Sequence, residues 1–173
     1  TPIPSRNSLL VSFNGVDGAT TATDEGKWGH ALTFVGNAQL DDSVAPPLGY
    51  STALLLDGTG DYITIPNHPD LSIYLEDFTI EGFFRQTSVK SGLVGLMSHR
   101  NSSGADWTLY LNTGLPRFIA WPVGNGGDFS SSGSALSAAV WYHIAVTREG
   151  NTFRVFVDGT QVASHTQTGE LAT

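Results

Sequence analysis

The sequence predicts an all-β protein that folds as a two-sheet antiparallel β-sandwich. Short apolar runs recur at spacings of about 8 to 12 residues and are separated by turn residues, a pattern typical of sandwich strands. The 173 residues include 20 Gly and 8 Pro, a composition that favours turns and strands over long helices. No segment repeats with a period of roughly 20 to 50 residues, so a solenoid or a propeller is not indicated.

Twelve short strands are predicted along the chain. Residues 1–7 are polar and contain proline, and they predict an arm before a single domain over residues 8–173. Each strand stops where Gly, Pro, Asn or Asp residues cluster, because these residues favour turns. The glycine- and serine-rich residues 123–134 are predicted to be a loop. The predicted strands cover residues 8–13, 31–34, 38–40, 53–56, 62–65, 78–85, 92–97, 107–111, 117–121, 141–147, 152–157 and 160–164.

Two acidic turns predict tight connections between strands. Asp57 and Asp61 enclose a Gly-Thr-Gly sequence between two apolar runs. Further along the chain, Asp158 and Gly159 separate two strands. Asp-Gly favours a two-residue hairpin because this turn needs a positive φ at both positions.

Alternation within the strands predicts which side chains point into the core. In residues 78–85, Phe78, Ile80 and Phe84 fall on one side, whereas Phe83 falls on the side that should be wetter. Phe83 therefore belongs either to a second partly buried layer or to a surface that is open to a partner. The predicted inward residues are Phe13, Leu55, Ile63, Ile65, Phe78, Ile80, Phe84, Leu109, Trp141, Val155 and Val157.

Composition excludes several classes of function. The net charge is −8, and the 8 basic residues are scattered along the chain, so a phosphate-tracking nucleic-acid surface is not expected. No apolar run reaches the length of about 18 residues that membrane insertion requires. The absence of Cys excludes disulfides and thiolate sites. The five His lack the spacing of a zinc enzyme, and no GxSxG elbow occurs.

Four blocks of sequence resemble the concanavalin-A-like jelly-roll superfamily, and most closely its laminin-G-like branch. They are residues 8–24, residues 55–66 (LLDGTGDYITIP), residues 77–85 (DFTIEGFFR) and residues 141–164, which begin WYHIAVTREGN. The resemblance implies a concanavalin-A-like jelly roll. Residues 8–20 (SLLVSFNGVDGAT) are also similar to a variant found in bacteriophage structural and tail proteins.

The fold that the resemblance implies hosts lectins, adhesins, virion proteins and some glycosidases, and among these we expect a non-catalytic binding or structural module. We expect a bacteriophage virion component, either a capsid decoration or a tail-fibre domain, that binds neighbouring virion subunits, itself or cell-surface glycans. The alternative is a secreted, extracellular carbohydrate-binding or adhesion module with calcium-supported loops. Members of the family usually continue past the Asp158-Gly159 hairpin with further strands. Because this chain ends at Thr173, we expect either a longer parent chain or a homo-oligomer in which a neighbouring subunit covers the gap.

Sugar binding calls for an exposed aromatic ring beside a few polar groups that bond hydroxyls. Trp107 and Trp121 are the candidate rings, although both border strands, where a buried core tryptophan is an equally common outcome. Arg100, Asn101, Asn125 and Asp128 are the candidate polar partners, and all six residues belong to the predicted ligand site.

Asp57 and Asp61 are the candidate calcium ligands, because related jelly rolls bind this ion near the glycine-rich turn. Calcium takes about six to eight oxygen ligands, so two carboxylates provide only part of a shell. The alternative is that both side chains stabilise the turn by accepting backbone N–H groups.

Glycoside hydrolysis ranks third among the expected functions. Asp77 and Glu81 share a strand face, and Glu76 lies beside them. At a rise of about 3.3 Å per residue, the α-carbons of Asp77 and Glu81 are about 13 Å apart. Retaining and inverting glycosidases hold their carboxyl groups about 5–5.5 Å and about 6.5–9.5 Å apart. We therefore predict that the protein is not an enzyme.

Overall fold

The computed structural model describes residues 7–71, 77–101, 104–120, 128–131 and 133–166. Within these residues the protein consists of antiparallel strands and two single-turn 3₁₀ helices, which confirms the predicted all-β class. Contacts divide the chain into two compact units, Thr1–Leu71 and Ser72–Thr173. The predicted single domain over residues 8–173 stays a prediction, and most of the predicted arm lies outside the described residues. No helix in the described part of the chain has the length and hydrophobicity needed to cross a bilayer.

The first unit contains two small antiparallel sheets. β1 (Thr33–Val35) pairs with β4 (Tyr62–Thr64), so that Phe34 lies opposite Ile63, and β2 (Gln39–Asp41) pairs with β3 (Ala53–Leu55), so that Leu40 lies opposite Leu54. The predicted strand over residues 8–13 is not formed, because Leu10 donates its N–H to the Asp24 carboxylate and accepts the N–H of Glu25, and Phe13 has a positive φ of +52° that ends an extended chain. The unit also contains the 3₁₀ helices Pro47–Gly49 and Pro69–Leu71.

The second unit contains two four-stranded antiparallel sheets. The strands are β5 Phe78–Arg85, β6 Leu93–Asn101, β7 Gly104–Asn112, β8 Leu115–Ala120, β9 Asp128–Ser130, β10 Trp141–Glu149, β11 Thr152–Val157 and β12 Thr160–Thr166. One sheet has the order β12-β11-β10-β5, and the other has the order β6-β7-β8-β9. β9 lies within the segment that was predicted to be a loop, where pairing with β8 orders it.

Side chains from both sheets of the second unit meet in one hydrophobic core. Phe118 of β8 and Phe153 of β11 are almost fully buried, and their ring centroids are 6.3 Å apart. Phe78 of β5 packs on both rings at centroid distances of 6.1 Å. The two sheets therefore form a β-sandwich, as the sequence predicted. The other buried members of the core are Trp107, Leu109, Leu111, Ala120, Leu136, Ile144, Val146 and Val155.

The predicted inward residues are confirmed in part. Leu109 and Val155 are buried, and Phe78, Ile80, Phe84 and Val157 pack against the core. Phe13, Ile63 and Ile65 in the first unit are half-buried. The prediction is wrong for Leu55, which is exposed.

It is also wrong for Trp141, which lies opposite Arg85 in the β10–β5 pair and so faces away from the core. Ile144 and Val146, at the other parity of β10, face the core instead. Both faces of β10 carry apolar side chains, so alternation within the strand could not identify the inner face.

The predicted hairpin at Asp158 and Gly159 is confirmed. Their φ values are +46° and +78°, the positive pair that this turn requires. The Asp158 carboxylate also accepts the backbone N–H of His143 at 2.9 Å, which ties the turn to β10.

Candidate functional site

The structure does not bring the residues predicted to bind sugar together in an exposed site within its described part. Trp107 is only 9% exposed, and its ring stacks on Phe118 at a centroid distance of 6.2 Å. Trp107 is therefore a core residue and not a sugar platform, because β7 directs its side chain between the sheets. Arg100 and Asn101 end β6 and Asp128 begins β9, but their side chains lie outside the description. Trp121 and Asn125 lie outside the described residues.

Among the tryptophans that the structure describes, Trp28 is the exposed one, and the sequence prediction missed it. Trp28 is 46% exposed, and its indole N–H donates to Asp70 Oδ2 at 2.6 Å. The Lys27 ammonium lies 4.3 Å from the centroid of the Trp28 ring and 3.9 Å from Asp70 Oδ2. The His68 ring lies 4.8 Å from the indole and is tilted by 40°. We call Lys27, Trp28, His68 and Asp70 the Trp28 cluster.

The 3₁₀ helix Pro69–Leu71 positions Asp70, the acidic residue of this cluster, relative to His68. The backbone N–H of Asp70 donates to His68 Nδ1 at 3.2 Å, and the N–H of Leu71 donates to the His68 carbonyl at 3.0 Å. Because Nδ1 of His68 is an acceptor, the neutral ring carries its proton on Nε2. His68 can therefore donate a hydrogen bond from Nε2 to a ligand.

A buried carboxylate fixes the loop that presents Trp28. Asp24 Oδ1 accepts the N–H groups of Leu10 and Gly26, each at 2.8 Å, and Oδ2 accepts the N–H of His30 at 2.8 Å and its Nδ1 at 2.7 Å. Burial by itself would raise the pKa of Asp24, but these hydrogen bonds together outweigh it and lower the pKa to about 2. Asp24 thus remains ionised and holds residues before and after the loop in place.

His30 connects this buried carboxylate to the cluster. Its side chain is only 6% exposed, and its ring meets His68 edge-on at 5.2 Å. Since the ionised Asp24 carboxylate can only accept, Nδ1 of His30 is the donor in their hydrogen bond. Nε2 of His30 has no hydrogen-bond partner within the described residues. Asp24 and His30 therefore hold the cluster in position through the buried side of the loop. No sequence motif identifies either residue, because their roles depend on contacts formed only in the folded chain.

The predicted calcium residues form a turn network. Asp61 accepts the N–H groups of Asp57 and Asn37 at 2.9 and 2.8 Å. The hydrogen bond from Asp57 N–H is the main cause that lowers the pKa of Asp61; partial burial opposes it, and the bond from Asn37 adds to it. Asp57 in turn accepts the N–H of Thr59 at 2.6 Å and the amide of Asn37 at 3.2 Å.

This arrangement supplies only part of a calcium shell. Calcium takes about six to eight oxygens, whereas each oxygen of Asp57 and Asp61 already accepts one hydrogen bond within the loop. No group of three or more His, Cys, Asp or Glu side chains suited to a metal occurs in the part of the chain that the structure describes. Calcium at Asp57 and Asp61 stays a prediction.

The carboxylates considered for hydrolysis have different partners. Asp77 Oδ1 accepts the N–H of Gly150 at 2.7 Å, which anchors the β10–β11 turn. Glu81 Oε2 lies 3.2 Å from Nε2 of His143 on the face of the sheet that points away from the core. Glu76 lies outside the described residues. Asp77 therefore stabilises a turn through its carboxylate. The predicted absence of enzyme activity stays a prediction.

Comparison with known proteins relates the chain to lectin-like sandwiches. A family model described as the concanavalin A-like lectin/glucanases superfamily matches residues 57–173. An S-layer domain-containing protein from Clostridium thermocellum ATCC 27405 (residues 221–444) is 24% identical, with a TM-score of 0.55 over 92% of this chain and 72% of the other. No curated protein sequence matches the chain significantly.

Two toxin domains share the fold at lower identity. The binding domain of botulinum neurotoxin serotype D is 16% identical, with a TM-score of 0.67 over 95% of this chain and 41% of that one. The binding domain of serotype C1 is 14% identical, with a TM-score of 0.66 over 93% and 39%. The chain therefore spans about two fifths of these toxin domains, and at these identities the likeness concerns the fold alone.

Proposed function

The chain belongs to the concanavalin A-like lectin/glucanases superfamily, and on that premise we propose that it is a non-catalytic carbohydrate-binding module. The observation that carries the proposal is the Trp28 cluster, in which an exposed indole stands beside a carboxylate, an ammonium group and an imidazole. Aromatic rings stack on the apolar faces of sugars, and polar groups around the ring bond the hydroxyls. Lys27, Trp28 and His68 lie on loops and Asp70 lies on a single-turn 3₁₀ helix, and binding residues concentrate in such connecting segments.

Each member of the cluster has a role in binding. The Trp28 ring is the stacking surface, and its hydrogen bond to Asp70 holds the ring in one orientation before the ligand arrives. Asp70 retains acceptor capacity for sugar hydroxyls, and Nε2 of His68 is a donor. The Lys27 side chain is 55% exposed, so its ammonium group can leave the indole face and donate to a hydroxyl.

The cost of displacing Lys27 is small. An exposed cation–π contact contributes about 0.5–1 kcal/mol, and the exposed pair with Asp70 contributes about 0–1 kcal/mol. A stacked sugar ring offers the indole a larger apolar contact than one ammonium group does. We therefore expect the free energy gained by stacking the sugar ring on Trp28 to exceed the free energy lost when Lys27 leaves the indole.

A cell-surface setting outside the cell is our preferred context. The similarity to an S-layer domain-containing protein supports a secreted surface module. The similarity of residues 8–20 to phage structural proteins supports the virion alternative, in which the same site would hold a host glycan. Size-exclusion chromatography with light scattering separates the two: we expect a monomer for a surface module, and a trimer or larger assembly would favour the virion component.

A glycan array tests the proposal. The fluorescently labelled chain is applied to printed neutral and acidic oligosaccharides, and we expect a defined subset of spots to bind. Trp28→Ala should reduce these signals at least tenfold, whereas Trp28→Phe should retain part of them. Tyr62→Ala is the matched control, because Tyr62 is an aromatic residue of the same unit that is 50% exposed. An array on which the wild-type chain binds nothing, or equal signals for wild type and Trp28→Ala, would overturn the assignment.

A further inference from the structure

A second aromatic surface lies on the sheet of the other unit. The register of β10 with β5 places Phe83 opposite His143 and Glu81 opposite Ala145, all on the face that points away from the sandwich core. Phe83 is 39% exposed there. The sequence had left open whether this residue belongs to a second buried layer, and its exposure favours an accessible ring.

Phe83 and its neighbours form a compact group of complementary chemistry. The Phe83 and His143 rings are tilted against each other with centroids 5.0 Å apart. His143 Nε2 lies 3.2 Å from Glu81 Oε2, and both side chains are partly exposed. Because the Nε2–H of His143 points at Glu81, one apolar ring stands beside two acceptors for hydroxyl groups, the Glu81 carboxylate and Nδ1 of His143.

Ala145 is the small residue on this face. It lies between Glu81 on β5 and Phe156 on β11 in the register of three neighbouring strands. Ala145 is only 7% exposed, so its methyl group is largely covered and the longer side chains form the accessible surface.

We propose that this face is a second saccharide-binding surface, which makes the chain bivalent for glycans. The Phe83 ring stacks on the sugar, the free lone pairs of Glu81 accept a hydroxyl hydrogen, and Nδ1 of His143 accepts another, because the Nε2–H of this ring points at Glu81. The inference rests on the proposed carbohydrate-binding function and adds a site to it. Two weak sites on one chain raise the avidity for a repetitive glycan surface without any new contact.

A saccharide fits this face better than a protein partner does. Protein interfaces bury about 800 Å² on each partner and centre on fully desolvated anchors. Phe83 is a single half-exposed ring with a charged side chain beside it. A sugar ring matches both the small apolar area and the adjacent hydrogen-bonding groups.

The test compares variants of the two surfaces on the same glycan array. We expect Phe83→Ala to lower the wild-type signals about threefold to tenfold, Phe83→Tyr to preserve them, and Trp28→Ala with Phe83→Ala to abolish them. Leu93→Ala is the matched control, because Leu93 is an exposed apolar residue of the same unit.

Stoichiometry provides an independent measurement. In calorimetric titration with the strongest-binding array oligosaccharide in soluble form, we expect two sites for wild type and one each for Trp28→Ala and Phe83→Ala. The second surface would be overturned, and the proposed function kept, if Trp28→Ala abolished the wild-type signals, Phe83→Ala left them unchanged and calorimetry gave one site. No wild-type binding at all would overturn both. Thermal unfolding of each variant excludes loss of the fold as the cause.

Discussion

Substitution of Asp24 by Asn provides the sharpest test of how the Trp28 loop is held. The change keeps the shape of the side chain and removes its charge. Each oxygen of Asp24 accepts two N–H groups, from Leu10 and Gly26 at Oδ1 and from the backbone and ring of His30 at Oδ2. Whichever position the amide nitrogen occupies, two donors lose their acceptor.

The expected loss of stability follows from the hydrogen bonds and from the charge. A hydrogen bond to a charged group contributes about 1.5–3 kcal/mol, so two lost bonds predict a cost of about 3–6 kcal/mol. The pKa provides a second route: lowering it from 3.8 to about 2 corresponds to about 2 kcal/mol of folding free energy at neutral pH. We therefore expect Asp24→Asn to lower the free energy of unfolding by about 3 kcal/mol at pH 7.

The pH dependence has a defined sign. Because the pKa of Asp24 is lower in the folded state, its ionised form stabilises the protein above the unfolded pKa of 3.8. This stabilisation is lost as the pH falls towards 2. At pH 3 about 1 kcal/mol of it has gone. The gap in stability between wild type and Asp24→Asn should therefore be about 1 kcal/mol smaller at pH 3 than at pH 7.

Urea unfolding followed by tryptophan fluorescence at the two pH values measures both quantities. Asp42→Asn is the control: Asp42 is exposed, so we expect a change within about 0.5 kcal/mol. If Asp24→Asn costs no more than this control at pH 7, or if the gap does not narrow at pH 3, the role assigned to the buried carboxylate is refuted.

Three further predictions concern the acidic turn and the core. Gly36→Ala should cost more than about 2 kcal/mol in thermal unfolding, because φ is +77° and the new Cβ would lie 2.9 Å from the Gly60 carbonyl and against Asp61 Oδ1. Gly18→Ala, at φ +76° with nothing within 4 Å, should cost only about 1 kcal/mol, and equal losses would contradict the steric argument. Asp61→Asn should lower the melting temperature equally in excess calcium and in chelator, since its carboxylate accepts the N–H groups of Asp57 and Asn37; a wild-type rise with calcium that this variant lacks would instead indicate a metal. Phe153→Ala should cost about 3–5 kcal/mol in urea unfolding because it opens a core cavity, while Phe83→Ala on the outer face should cost less than about 1 kcal/mol, and similar values would show that the inner and outer faces are misassigned.

Site prediction from the sequence failed where burial depends on distant residues. Trp107 and Trp28 each have both polar and apolar neighbours in the sequence. In the structure Trp107 stacks on Phe118, whereas the Trp28 indole donates a hydrogen bond to Asp70. Each partner lies many residues away along the chain, so no local pattern distinguishes a core ring from an exposed one. The hydrogen bond between Leu10 and Asp24 also joins residues that are far apart in the sequence. Both residues lie in loops, so no strand pattern predicts that they meet.

The amino-acid sequence alone determined the local features of this protein. Strands form where apolar residues alternate, and the turn at Asp158 and Gly159 follows from which residues tolerate a positive φ. Only the tertiary structure decided which face of β10 is buried and which tryptophan reaches the surface. Turn geometry depends on adjacent backbone atoms, whereas burial depends on which sheet packs against a side chain, and that packing involves residues from the whole unit.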